Sequence, residues 1–412
     1  MHTTIALSAN TQQYIDIEDK FGAHNYHPLP VVLSRGKGVF VYDIDGKRYY
    51  DFLSGYSAIN QGHCHPKIIA ALVEQAQKLT LTSRAFHSNL LGDYEKYITN
   101  YFGYDKVLPM NTGVEAVETA IKLARRWGTQ LKGIENAKSK IIVCSQNFHG
   151  RTTGVISFST DPDSNSNFGP LISGFEVIPF DDLIALEKSF QDKNVCGFLF
   201  EPIQGEAGVV VPNEGYYGGI RNLCNEYNVL MIADEIQSGL ARTGTMLAID
   251  REDVKADILI LGKALSGGVL PVSAVLANNE IMLTIKPGEH GSTYGGNPLA
   301  CAVATVALQV LKDENMVKNA NAMGKLLRDE LRNLNSPFIK LVRGRGLLNA
   351  IVINHSNKEA AWELCLQMKE NGLIAKPTHG DKIRFAPPLI ITKEQILECL
   401  KIIKKSLLIL ED

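Results

Sequence analysis

The chain has 412 residues, 45% hydrophobic and 21% charged, with a formal net charge of −2: a globular composition with apolar material for roughly two or three domains. So small a charge gives no general attraction to nucleic-acid phosphates or to an anionic membrane, and no apolar run reaches the ~18 residues of a spanning helix without loop-breaking residues. The seven cysteines, several in apolar runs such as Ile141–Cys144, read as buried thiols of a reducing compartment and not as a disulfide framework.

In chain order, Met1–Lys20 carries Asp16, Glu18 and Asp19 and no arginine, unlike a secretory signal or a transit peptide. The cytoplasm is therefore the expected compartment, with a removed presequence left open. The start reads as irregular up to about Ser34. Gly38–Tyr42 and Arg48–Phe52 then flank Asp43-Ile44-Asp45-Gly46, a β-hairpin pattern with an Asp-Gly turn. Pro66 opens a helical segment to Leu79, and Val114 to about Trp127 is a second helix with acids early and bases late. Strands are expected at Lys140–Cys144, Phe175–Pro179, Val195–Phe200, Val229–Ala233, Asp257–Leu261 and Val272–Leu276, with amphipathic segments such as Tyr216–Tyr227 between some of them. Near-continuous apolar strands joined by crossovers predict an α/β domain whose mainly parallel sheet is covered on both faces. After Pro298 the pattern becomes helical at Leu299–Leu311 and Met316–Leu334, strand-like at Gly346–Ile353, then helical at Lys358–Glu370 and Thr392–Leu410. The expected division is an N-terminal segment 1–50 packed with the small domain, a large domain 51–297 and a smaller α+β domain 298–412.

Two charged residues end apolar runs. Asp234 follows Val229–Ala233, and Lys263 follows Ile258–Gly262. Alone, a strand-end lysine snorkels to solvent and an aspartate caps a helix. Together, in the crevice outside the strand carboxyl ends of an α/β sheet, they match the needs of pyridoxal 5′-phosphate (PLP). That cofactor takes an amine at its aldehyde and an acid at its ring nitrogen. A desolvated lysine is the nucleophile for the first, and a carboxylate within ~4–6 Å keeps the second protonated. Asn111–Ala116 passes from a turn into a helix, whose first N–H groups can bind a phosphate, although Thr112 also suits a plain N-cap. Gly344–Asn349 lacks the third glycine of a dinucleotide fingerprint, and Asp257 stands where a P-loop needs its first glycine. His63-Cys64-His65 has no second ligand cluster at usable spacing, so it reads as a turn and no metal is expected.

Ala233–Gly244, followed by Leu261–Ala264, resembles the signature of the class III (ω-) aminotransferases of PLP-dependent transferase fold type I. Phe21–Pro30, Gly55–His63, Asn147–Arg151 and Glu201–Gly208 resemble the ornithine δ-aminotransferase branch of that family. The resemblance implies that Lys263 is the Schiff-base lysine and proton shuttle, that Asp234 holds the pyridinium, and that Gln237 bonds the ring hydroxyl. It implies that Phe148 and Ile236 sandwich the ring, and that Gly113 and Val114 bind the phosphate with Ser292 and Thr293 of a partner subunit, in a homodimer with shared sites. Tyr26 and Arg151 would hold the ornithine α-carboxylate, Tyr56 would line the pocket, and Glu206 would mask Arg384 until 2-oxoglutarate enters. The implied reaction moves the δ-amino group of L-ornithine to 2-oxoglutarate. The alternatives are a related ω-aminotransferase acting on N-acetylornithine, 4-aminobutyrate or lysine, against which Tyr26, Tyr56 and Glu206 argue, and a PLP-binding protein without turnover.

Overall fold

The computed structural model describes residues 7–411; residues 1–6 and 412, which the domain and compartment readings also include, lie outside the described residues. Strands β1 (Leu33–Lys37), β2 (Phe40–Asp43) and β3 (Arg48–Asp51) form an antiparallel meander. The hairpin forms because the Asp43 carboxylate accepts the N–H groups of Asp45 (3.0 Å) and Lys47 (2.8 Å), while Gly46 takes φ +85° without a Cβ penalty.

In the described part of the segment expected to be irregular, residues 22–32 are irregular, but a helix precedes them. A helix runs from Ala9 to Phe21, capped by Ser8, whose Oγ accepts the Thr11 N–H at 3.1 Å. Tyr14, Ile17 and Phe21 lie at helical spacing but are exposed, and Thr11 is its only buried residue. The short apolar stripe was readable; it lacks a packed face that would have made it prominent.

The main sheet has seven strands: β4 (Lys106–Met110), β5 (Lys140–Cys144), β6 (Phe175–Ile178), β7 (Val195–Phe200), β8 (Leu230–Asp234), β9 (Ile258–Leu261) and β10 (Ser273–Ala277). Their spatial order is β4-β10-β9-β8-β7-β5-β6. β5 to β9 pair in parallel, and β10 alone is reversed, antiparallel to both β4 and β9. β7 to β10 are buried along their whole length, the reason their sequences read as unbroken apolar runs. β4 is not among the strands expected from the sequence; its Pro109 is tolerated because β4 is an edge.

Helix Pro298–Asp313 packs on helices Pro66–Ala76 and Leu91–Phe102. Beyond it, β11 (Ile339–Arg345) and β12 (Leu348–Ile353) form a hairpin of which only the second strand was anticipated. β13 (Leu373–Ile374) joins β3 in parallel, so the N-terminal meander is completed by chain from the C-terminal region. β14 (Pro377–Thr378) and β15 (Lys382–Phe385) complete a second four-stranded sheet in the order β11-β12-β15-β14. Six strands of the main sheet run the same way, so their carboxyl ends share one edge, and the segments leaving β4, β5, β7, β8 and β9 meet there.

Candidate active site

Each of those strand ends delivers a polar residue. β8 ends on Asp234, which is buried. Its Oδ1 accepts the Ile236 N–H at 3.1 Å, and its Oδ2 accepts His149 Nδ1–H at 2.7 Å. The chain leaving β5 supplies Phe148 and His149, and that leaving β7 supplies Glu201. After β9, Gly262 is extended and Lys263 turns left-handed at φ +45°, a conformation a lysine holds only under constraint. The 3₁₀ turn Lys263–Ser266 then closes on Gly267 at φ +62°.

A cavity of about 230 Å³ lies between these ends, and Gly113, Val114, Phe148, Asp234, Ile236, Gln237 and Lys263 all line it. Seven of the nine residues read from the sequence as cofactor contacts therefore come together, drawn from positions 113 to 263. Ser292 and Thr293 do not line it; Ser292 Oγ instead accepts Asn111 Nδ2 of the same chain at 2.8 Å.

The helix Gly113–Gln130 opens on a capping box. Thr112 Oγ1 accepts the Glu115 N–H at 3.4 Å, and Glu115 Oε2 accepts the Thr112 N–H at 2.6 Å. Thr112 is thus an N-cap, and the N–H groups of Gly113 and Val114 remain without intrahelical acceptors at the cavity wall. A Cβ on Gly113 would sit 2.9 Å from Ile236 Cδ1, so a side chain there would crowd the ring-side wall. Gly205 has a similar reason: a Cβ would fall 1.6 Å from Gln237 Oε1.

Electrostatics prepare the amine. Burial lowers the Lys263 pKa below the ordinary lysine range, against the pull of Glu206, Asp234 and Glu201. An amine that sheds its proton this readily is a nucleophile and a proton carrier. Burial also opposes charge on His149, but its bond to Asp234 and the nearby carboxylates outweigh that and hold the imidazole above its ordinary value. Burial pushes the Glu201 carboxyl up to about 7, opposed by His149. Glu201 accepts the N–H groups of Phe148 (2.9 Å) and Gly205 (3.3 Å), fixing the two loops on either side. The sequence alone assigns no role to His149 or Glu201. Both lie in segments flanking apolar strands, the same signal that exposed Asp234 and Lys263.

On the substrate side, Arg384 Nη1 donates to Glu206 Oε1 at 2.6 Å. Glu206 Oε1 also accepts Gln237 Nε2 at 3.2 Å. Burial alone would raise the Glu206 carboxyl, but Arg384 and Gln237 hold it below the usual range. The Arg384 guanidinium lies 5.0 Å from the Tyr56 ring centroid. Arg151 is exposed, 5.5 Å from the Phe148 ring centroid, with Nη1 donating to Ser164 Oγ at 3.0 Å. Tyr26 is 74% exposed. Burial holds the Tyr56 hydroxyl above the ordinary tyrosine range, partly offset by Arg384. His63 and His65 pair with Asp51 (2.7 Å) and Glu314 (3.1 Å), and among the described residues no group of three or more His, Cys, Asp or Glu is placed to hold a metal.

The family model for aminotransferase class-III matches residues 21–407. The chain belongs to the class-III aminotransferases. Its relatives match along nearly its whole length. The mitochondrial ornithine aminotransferase of Drosophila melanogaster is 62% identical over 98% of this chain and 94% of its own. A structure of the Toxoplasma gondii ornithine aminotransferase, crystallized with oxidized glutathione and partly occupied by PLP at its active site, is 49% identical, with a TM-score of 0.94 over 97% of this chain and 95% of that one. The acetylornithine aminotransferase of Elizabethkingia anophelis is 57% identical, with a TM-score of 0.89 over 97% and 100% of the two chains. The fold is that of PLP-dependent transferases of type I, and the cofactor is PLP. The cavity fits it on its own evidence of shape and charge: a helix start without acceptors for a phosphate, an acid for a ring nitrogen, two apolar walls and a deprotonable lysine. Among the described residues no helix is long and apolar enough to cross a membrane.

Proposed function

We propose that this chain transfers the δ-amino group of L-ornithine to 2-oxoglutarate, giving glutamate and glutamate-5-semialdehyde, which cyclises to pyrroline-5-carboxylate. The observation that carries this reading is the Glu206–Arg384 pair at 2.6 Å, beside the cavity that holds Lys263. A pocket that must accept a diamino acid and a dicarboxylate in turn needs a second carboxylate receptor that can be switched off. Glu206 closing on Arg384 supplies that switch.

PLP, when bound, supplies an aldehyde that joins a primary amine and a ring that accepts electrons from the substrate carbon. The rest is protein chemistry. Gly113 and Val114 N–H groups bind the phosphate, with Ser292 and Thr293 of a second copy completing it, which makes the active form a homodimer. Asp234 keeps a proton on the ring nitrogen, and His149 locks the carboxylate in place. Gln237 bonds the ring hydroxyl, while Phe148 and Ile236 grip the ring faces. Lys263 Nζ takes and returns the proton that moves between the two reacting carbons. Tyr26 and Arg151 hold the α-carboxylate of ornithine at the mouth, so that the distal amine reaches inward, with Tyr56 shaping the wall. Glu206 swings off Arg384 when a dicarboxylate arrives. We take 51–297 as the cofactor-binding domain, 298–412 as the smaller one and 1–50 as a segment that belongs with the latter, a division supported by the parallel pairing of Tyr50 in β3 with Leu373 in β13. We place the protein in the cytoplasm; fractionation tests this, the Drosophila relative being named mitochondrial.

The similarity to an acetylornithine aminotransferase favours N-acetylornithine as a second reading. A half-reaction screen separates them: ornithine, N-acetylornithine, 4-aminobutyrate and lysine are each mixed with the PLP form and the cofactor spectrum is followed. Ornithine reacting fastest upholds the first reading, and N-acetylornithine overtaking it replaces that reading with the second.

A further inference from the structure

The turn Ser54–Ser57, which carries Tyr56, is left-handed throughout, with φ of +49°, +55°, +59° and +69° at Ser54, Gly55, Tyr56 and Ser57. Only glycine adopts this backbone freely, so the other three residues must be held there. Asp51 holds the front: its Oδ1 accepts the N–H groups of Leu53 (2.8 Å) and Ser54 (2.9 Å), and its Oδ2 is bonded to His63 Nε2 at 2.7 Å. Asn60, three residues beyond the turn, is held by Arg242.

Arg242 is fully buried at 0% exposure. Its Nη2 and Nε donate to Asn60 Oδ1 at 2.6 and 3.1 Å, and its Nη1 donates to the carbonyls of Pro387 (2.6 Å) and Leu347 (3.0 Å). None of these acceptors is charged, and burial lowers its pKa to about 9 despite the nearby Asp51. A buried cation with neutral partners is a costly way to fill space, and an apolar side chain would fill it more favourably unless the fork itself were needed. What the fork joins is informative. Asn60 lies just beyond the Tyr56 turn, and Pro387 just beyond Arg384 at the end of β15. Backbone bonds from Ala386 N–H to Phe52 (2.8 Å) and from Leu389 N–H to Asn60 (2.8 Å) stitch the same two segments. Arg242 itself follows the turn that leaves Asp234.

We propose that Arg242 is a positioning residue that sets the spacing of Tyr56 against Arg384 and thereby the selectivity for ornithine. The inference rests on the ornithine reading above. Arg242 does not line the cavity; it acts by holding the strained turn and the arginine strand to one guanidinium.

The test uses the PLP-loaded protein and its first half-reaction with ornithine and with 4-aminobutyrate. Arg242→Lys keeps the charge but loses the fork, and Asn60→Ala removes the fork's acceptor on the Tyr56 side together with the Asn60 Nδ2 bond to the Leu240 carbonyl (2.9 Å). Either variant should lower the ornithine-to-4-aminobutyrate ratio of kcat/KM by about tenfold or more, since small misplacements of a positioning group reach ~100-fold, and the loss should appear mainly in the KM for ornithine. Gly55→Ala, an exposed change that strains the same turn, keeps the question answerable if neither buried variant folds, and should shift the ratio the same way. In a Tyr56→Ala background the effect of Arg242→Lys on the ratio should largely vanish, which a generally loosened fold would not produce. Variants that keep the parent ratio, or an Arg242 effect undiminished without Tyr56, overturn the inference. A parent protein that does not react with ornithine overturns the ornithine reading and the inference with it.

Discussion

Replacing Glu206 by alanine tests the switch. Arg384 is 5% exposed in its side chain and Glu206 22%, so their contact at 2.6 Å is poorly screened. At an effective dielectric near 20, unit charges ~4 Å apart attract by about 4 kcal/mol, and after desolvation a charge-assisted hydrogen bond retains ~1.5–3 kcal/mol. The remaining polar neighbour of Arg384 is Gln237 Oε1 at 3.4 Å, and Arg384 Nε has no partner, so nothing in the described residues replaces the lost carboxylate. The opened arginine would take the α-carboxylate of an ordinary amino acid such as glutamate and present its α-amine to Lys263. The same energy, expressed as selectivity, is roughly tenfold to a hundredfold. Stopped-flow half-reactions of the PLP form with ornithine and with glutamate measure it. Glutamate should gain on ornithine by about that factor. An ornithine-to-glutamate ratio equal to the parent's would refute the switch, whatever the fate of the other residues.

Lys263→Ala should abolish nearly all turnover while some PLP stays bound, because the phosphate and ring contacts come from other residues; mass spectrometry after borohydride should find no cofactor mass on the variant. Asp234→Asn keeps the oxygen that accepts the Ile236 N–H but loses its charge beside His149, so half-reaction rates should fall by at least about tenfold, and near-normal rates would remove Asp234 from the chemistry. The third concerns stability: burial raises the Glu235 carboxyl to about 8, with Ser238 Oγ donating to it at 2.5 Å and the Ile249 N–H at 3.0 Å. Its folded pKa lies above the unfolded one, so the folded state binds the extra proton from about pH 4.5 to 8, and stability falls as pH rises through that window, by at most ~1.4 kcal/mol per unit from this group. Denaturation at pH 6 and pH 8 should therefore show a smaller difference for Glu235→Gln than for the parent, and an equal difference would assign the slope to other groups.

The sequence alone determined the parts whose physics is local. Val195–Phe200, Leu230–Ala233 and Ile258–Leu261 had to be buried strands because no exposed face could be found in them, and the helix at Gly113 was marked by its cap and its charge order. Asp234 and Lys263 stood out because a charge at the end of such a run is costly unless it is used. Tertiary structure alone decided what crosses the chain. Pro109 is harmless only because β4 lies at an edge, and β10 runs backwards, which no periodicity reveals. His149 meets Asp234 across 85 positions and Arg242 reaches Asn60 across 182. The meeting of Glu206 with Arg384 across 178 positions is implied by the family resemblance and by no local pattern. Nor does composition show that Tyr56 is presented on a left-handed turn, whose entry is bonded by the Asp51 carboxylate from outside it. Apolar spacing records that a face will be covered; which side chain arrives beside it depends on strand order and register, and those are settled only when the whole chain packs.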